Sequence, residues 1–452
     1  MNIGFAKHDI TPRVGVELCG FGPFLGRHSV RVHDSLWARA MALEVDGVRT
    51  IVIACDLIGV SAEFTDRVCE LLFASTGIAS EQVMICSSHT HSGPCTGSYI
   101  GWGEPDAPYL ETLPKRIAQA AVDALASLQP ATLSHAEVPC EGIGLNREYE
   151  TFWAPYDEAM MPDWRPAKPE LTDTTCHVVV GKAEDGTLLG FMTYFGCHPV
   201  VCCNQSLVIH GDYPGVALND VERDHPGSVG LFLQGAQGDV NSAIGGRSQE
   251  ESLLALEELA GRFASSVRAG IMQAKPIEVD RIASHELAIP FSCKAWGLDE
   301  LRTRLADVEK ALAGVDLDGD DGPESQAVRM NTVCAIALRR LLRRAEAGES
   351  LTPVITLHGL RIGPIALLGS PFETFQAIKN DVIAQSSAPI PLVMGLVDDS
   401  RGYAPDRTAA ARGGYAADTV PLICAELPFT NIHEELVAGL VRLDTALANL
   451  NG

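Results

Sequence analysis

Positive charge is scarce in this chain. Across 452 residues, 34 lysines and arginines face 58 aspartates and glutamates, a formal net charge of −24 at pH 7. A field of that sign repels phosphate backbones and anionic lipid surfaces, so nucleic acid is not an expected partner. Long apolar runs are missing too. No window approaches the roughly 18 uncharged apolar residues of a membrane span, so no membrane anchor is expected. CxxC pairs at zinc-finger spacing do not recur. The 13 cysteines are odd in number, many sit in apolar runs such as "IVIACDL" and "VMICSS", and Cys202 and Cys203 are adjacent. This usage predicts reduced thiols packed as small apolar side chains. The opening "MNIGFAKHDITP" lacks the charged and then apolar regions of a secretory leader, which leads to an expected cytoplasmic location.

What is present is an alternation of short apolar runs with amphipathic segments. "RTIVIACDL" (Arg49–Leu57) reads as a buried strand. It is followed by Ser61 as an N-cap and by Phe64, Val68, Leu71 and Leu72 on one helical stripe. "EQVMICSS", "CHVVVGK", "TLLGFMTYFG", "GSVGLFLQG", "LRIGPIALLG" and "IPLVMGLV" read as further strands. Helices are expected over Pro108–Leu128, Glu250–Met272, Asp299–Ala313, Ala327–Ala345, Glu373–Gln385 and Asn431–Leu450, the last opened by a capping box of Asn431 and Glu434. Such alternation predicts an α/β fold, with a mixed, largely parallel β-sheet flanked by helices. Length alone suggests about three domains. With no linker and no repeat, a single unit over 1–452 is expected, carrying a helical insertion at about 298–348. "GVDLDGDDGPES" (Gly314–Ser325) resembles a calcium loop only loosely, because Asp321 stands where that pattern requires glycine, and it is expected to be a solvated connection.

Several of these strands run straight into residues capable of chemistry. "CSSHTHSGPC" places His89 and His91 after one strand. His198, His210 and Asp212 follow another, and Asp239 and Asn241 follow a third. Glu373 and Tyr403 follow two more. In open α/β sheets, ligands gather at the carboxyl ends of the strands. Imidazoles, a carboxylate and a phenol meeting there suit a divalent transition metal, zinc above all, with a position left for water. Each residue also has a simpler reading: a backbone-bonded histidine, a helix cap at His210, a helix-start carboxylate at Glu373, a buried anchor at Tyr403. His89 and His91 form the stronger signal, because in an extended His-x-His both side chains share a face.

The ordered pieces "FAKHDITP", "VHDSLWARAMALE", "HTHSGP", "LNRE", "FGCHP", "QGAQGDVN", "GSPFE" and "GY…GGY" resemble the catalytic domain of the neutral/alkaline (non-lysosomal) ceramidases. The resemblance covers essentially the whole chain, and "HTHSGP" is its most specific motif. It implies a Zn2+ cofactor held by His89, His198, Glu373 and Tyr403. It further implies that His91 lies beside the metal against substrate, that Arg147 is a substrate-contacting cation, and that Tyr415 donates to the oxyanion. Asn241 occupies the position of the family's catalytic-site serine, with Ser242 following, and no counterpart of the family's C-terminal β-sandwich domain is expected.

The expected activity is therefore hydrolysis of an amide (N-acyl) bond in a soluble small-molecule substrate by zinc-activated water, with Tyr415 stabilising the oxyanion and His91 moving protons. Arg147 offers a planar fork for a substrate hydroxyl or carboxylate, or is a structural ion pair. Asp239 either orients a ligating histidine or serves a turn. An ester or lactone hydrolase would use the same metal site. A non-catalytic metal-binding or scaffold protein is the reading to which the change at Asn241 points.

Overall fold

The computed structural model describes residues 1–315 and 325–450. Its centre is two stacked β-sheets. The first has nine strands, in the order Val229–Gln234, Leu188–Phe195, Thr175–Ala183, Gln129–Pro139, Asn2–Asp9, Trp37–Val45, Val48–Cys55 and Val83–Ser87, with Lys275–Ile277 paired to Gln129–Pro139. The second has four, in the order Ile282–Pro290, Val354–Ile362, Ile365–Gly369 and Ile390–Met394.

The period-two alternation of side chains distributes residues between layers. In Trp37–Val45, Ala38, Ala40 and Ala42 face the helices Ala62–Thr76 and Ala107–Ala126, while Met41, Leu43 and Val45 face the second sheet. Farther along, Phe191, Phe195 and Phe232 pack under the helices Asp212–Asp224 and Gln249–Gln273. Leu360, Ile362, Leu367 and Met394 of the second sheet close the middle layer. Its outer face holds Leu357, Leu368 and Val393 against the helix Ile432–Asn449. The order is helices, sheet, sheet, helices.

The α/β class and the mixed, helix-flanked sheet are as expected, but the pairing is not largely parallel. Parallel pairs join Val229–Gln234 to Leu188–Phe195, Val48–Cys55 to Val83–Ser87, and Ile365–Gly369 to Ile390–Met394, and the other pairs described within the two sheets are antiparallel. The apolar runs look like parallel-sheet strands because both faces are buried. Here the second covering layer is another sheet rather than helices.

Three local expectations also change. "LRIGPIALLG" is a hairpin, with Ile362 paired to Ile365 across Gly363, whose φ is +54°. The helix expected from Glu373 begins at Gln376, because Glu373–Thr374 pairs as a short parallel strand with Tyr403–Ala404. Asn431 precedes the last helix without a side-chain capping bond, and Glu434 pairs with Arg407 instead. The cap at Ser61 forms as expected, accepting the Phe64 N–H.

The helices Leu298–Ala313 and Gln326–Glu346 pack on each other and contribute Leu301, Val333, Ala337 and Leu338 to a cluster shared with Tyr99, Trp102, Phe375 and Tyr403. Residues 316–324 of the calcium-like stretch lie outside the described residues. All thirteen cysteines are free and ten are buried, in keeping with their use as packing groups. Among the described residues, no helix is long and apolar enough to cross a membrane.

Candidate active site

The carboxyl ends of strands from both sheets converge on one point. The Ser87 N–H donates to Leu396 O and the Gly395 N–H to Gln234 O, which ties the two sheets together there. His89 leaves the end of Val83–Ser87 in the left-handed region, at φ +71°. Its N–H donates to Leu57 O and its Nδ1 lies 2.6 Å from Ile58 O. His198 follows Leu188–Phe195 and places Nδ1 2.6 Å from Gln237 O. Glu373 is delivered by the register that pairs it directly with Tyr403. A non-glycine residue held at positive φ at such a convergence is strain of the kind that collects at functional sites.

The donor set tests itself. Both Nδ1 atoms face carbonyl oxygens, which assigns their protons to Nδ1 and leaves lone pairs on Nε2. Those two Nε2 atoms lie 2.8 Å (His198) and 3.3 Å (His89) from the same Glu373 oxygen, Oε2. Three buried ligand-type atoms thus face one another, all within 4.8 Å. Burial opposes ionisation of Glu373, but the neighbouring His89 and His198 overcome it and hold its carboxyl well below the usual range. Burial, reinforced by Arg147, lowers His198 to about 4. A neutral imidazole at His198 beside the Glu373 carboxylate is the protonation state a divalent cation requires, and His89 turns its Nε2 to the same oxygen, so the residues fit such an ion.

Tyr403 belongs to the same cluster, its hydroxyl 3.4 Å from His198 Nε2. Burial raises the phenol well above its usual value, against the opposing pull of Arg147. Arg147 is committed to the protein itself: its guanidinium donates to Tyr403 Oη at 2.6 Å, Gly238 O at 2.8 Å and Asn241 Oδ1 at 3.1 Å. Asn241 spends its amide N–H on Phe152 O and does not line the cavity beside the cluster. Tyr415 does line it, with about half of its surface, 53%, exposed to solvent. His91 lines it as well, its ring centroid 4.8 Å from that of His89 and both its nitrogens buried without a hydrogen-bond partner.

The family model described as Neutral/alkaline non-lysosomal ceramidase, N-terminal, matches residues 1–262. The chain belongs to that family. Neutral ceramidase A of Dictyostelium discoideum is 26% identical over 261 residues, which span 53% of this chain and 35% of that protein. The match therefore covers about a third of the curated relative. The crystal structure of neutral ceramidase from Pseudomonas aeruginosa shares the fold, with a TM-score of 0.72 at 21% identity, over 99% of this chain and 75% of that one. A solved ceramidase complexed with C2 gives a TM-score of 0.73 at 20% identity, with the same coverage.

Other residues of this ceramidase-family site were not legible in the sequence. Gly20 lies against His91, so that a Cβ there would stand 2.5 Å from its Nδ1. Arg27, buried, donates to the backbone oxygens of Cys19, His91 and Ser206 and so fixes the loop that carries His91. Ile58, Tyr99, Trp102, Val420 and Ile423 supply the cavity walls. Two sequence candidates serve other ends. Asp239 accepts from Asn146 and from the Gln376 N–H, while carbonyl oxygens, not this carboxylate, orient the histidines. His210 accepts the Asp212 N–H in a separate buried turn beside His33.

Proposed function

We propose that this chain is a metal-dependent hydrolase of an amide (N-acyl) linkage, with zinc as its ion and His89, His198, Glu373 and Tyr403 as the residues that hold it. The observation that carries this reading is the convergence of His89 Nε2 and His198 Nε2 on one oxygen of the buried Glu373 carboxylate, with both Nδ1 atoms turned to backbone carbonyls. When bound, zinc supplies a Lewis acid and lowers the pKa of water towards 7.

The chain's own residues do the rest. Burial, with His89 nearby, holds the His91 imidazole well below its ordinary value, so it is neutral at pH 7. It takes a proton from the attacking water and returns it to the leaving nitrogen as the C–N bond breaks. Tyr415, protonated at neutral pH, donates its O–H to the oxygen that becomes negative. Arg147 holds Tyr403 in place rather than reaching for substrate.

The cavity beside the cluster is only about 50 Å3, far below the roughly 300–1,000 Å3 that encloses a drug-sized ligand. It admits the reacting carbonyl and little more. A second cavity of about 260 Å3 shares the Tyr99 and Ile423 walls and adds Phe24, Ile100 and Ile336, which suits an apolar arm of the substrate.

The test combines metal analysis with hydrolysis of matched N-acyl amides and esters, short- and long-chain, ceramide included. Amide turnover that is lost on chelation, restored by zinc and absent in His89→Ala supports the reading. Full activity in His89→Ala overturns it. Preference for the matched ester moves the chain to the ester-hydrolase alternative, and zinc without turnover on any substrate makes it a binding protein.

A further inference from the structure

Apart from the cavity residues, three side chains share one face of the first sheet. His135 and Glu137 are two residues apart on the strand Gln129–Pro139, so both point to the same side. His177 stands directly opposite Glu137 on the neighbouring antiparallel strand Thr175–Ala183. We propose that His135, Glu137 and His177 form a second divalent-metal site, independent of the proposed hydrolytic centre.

The distances suit that use. His135 Nε2 lies 3.1 Å from His177 Nδ1, and Glu137 Oε1 lies 3.8 Å from the same Nδ1. Ligand atoms about 2.0–2.1 Å from a tetrahedral ion stand about 3.3 Å apart, between these two values. The candidate ligand atoms all fall within 4.8 Å of one another. The Tyr194 ring, 5.6 Å from His177 and edge-on, restricts the rotation of that imidazole.

Charge and proton accounting point the same way. Burial lowers both imidazoles, His177 to about 4, so their lone pairs are free near neutrality. One shared N–H···N bond would satisfy the two rings and leave Glu137 with no donor. A cation engages all three. Lys379 is neutralised by Asp173, whereas Lys275, opposite His135 on the edge strand, brings a positive charge to the same face that the Glu137 carboxylate must offset. Two imidazoles and one carboxylate favour zinc, cobalt, nickel or copper over magnesium and calcium.

The site spans two adjacent strands, so an ion there clips them together and raises the folded state's stability through its binding. Equilibrium dialysis of the full-length protein against Zn2+, after chelator treatment, tests this by stoichiometry. The wild type should take up two equivalents, and His135→Gln/His177→Gln and His89→Ala one each. The combined triple variant should take up none. The exposed Glu137→Gln, which leaves the fold's core untouched, should weaken the second equivalent by tenfold or more and abolish part of the zinc-induced rise in melting temperature. Hydrolytic activity should be unchanged in both variants of this cluster. Zinc uptake and melting behaviour identical in wild type, His135→Gln/His177→Gln and Glu137→Gln would overturn the proposal. Loss of an equivalent here with none lost in His89→Ala would instead refute the hydrolytic metal centre and leave this one standing.

Discussion

His198 Nε2 stands 2.8 Å from Glu373 Oε2, although the two residues are 175 positions apart and come from different sheets. If the pair acts as a unit on one ion, its losses cannot add. Glu373→Gln and His198→Ala should each lower kcat by about a thousandfold or more, and the double variant should be little worse than either. Steady-state kinetics on the four proteins checks this. Multiplicative losses would mean that the two residues act separately.

Gly20 gives a test of His91 that leaves the proposed ligands intact. Its φ is +107°, and a Cβ would lie 2.5 Å from His91 Nδ1 and 2.6 Å from Cγ. Gly20→Ala therefore costs about 1–3 kcal/mol of backbone strain and also pushes the ring aside. Activity should fall at least tenfold while bound zinc stays at the wild-type level. Metal loss in step with activity would show that the ring's position is not what Gly20 protects.

Arg147 tests whether a residue without cavity exposure governs the site through Tyr403. Its three side-chain bonds need the fork of a guanidinium, which a lysine ammonium does not reproduce. Partners that orient ligands typically contribute 10- to 100-fold in metal affinity or rate. Arg147→Lys should lose about that much in zinc affinity, with KM little changed. A large rise in KM at constant zinc affinity would restore the substrate-contacting role that the family resemblance implies.

The parts of the site legible in the sequence were those with a local signature. His89 and His91 stand out because two imidazoles follow a strand end, although a left-handed turn at His89, not an extended His-x-His, brings both to the cavity. Glu373 and Tyr403 are individually ordinary and acquire meaning only from order along the chain, because the parallel register that joins them is a long-range fact. Gly20 and Arg27 act from a loop far earlier in the chain, and nothing near them in the sequence signals His91. The antiparallel pairing was hidden for a related reason. A strand buried by a second sheet and one buried by helices carry the same apolar run, so periodicity cannot tell the two coverings apart.

The contact between the strand Val354–Ile362 and the loop after Ile390–Met394 has its own pH signature. His358 Nδ1 lies 2.6 Å from Asp398 Oδ2 and its Nε2 lies 3.0 Å from Glu81 O. Burial disfavours the imidazolium, but Asp398, with Glu286 beside it, outweighs burial and raises the pKa above its ordinary 6.5. A group with a raised folded-state pKa contributes stability that is complete below its unfolded value and is lost as pH climbs through the folded one. The stability difference between wild type and His358→Asn, measured by urea unfolding, should therefore be largest below about pH 6.5 and shrink as the pH is raised beyond the elevated value. A difference that stays constant from pH 6 to pH 9 would mean that folding leaves the His358 pKa unshifted, and that its bond to Asp398 adds no charge stabilisation.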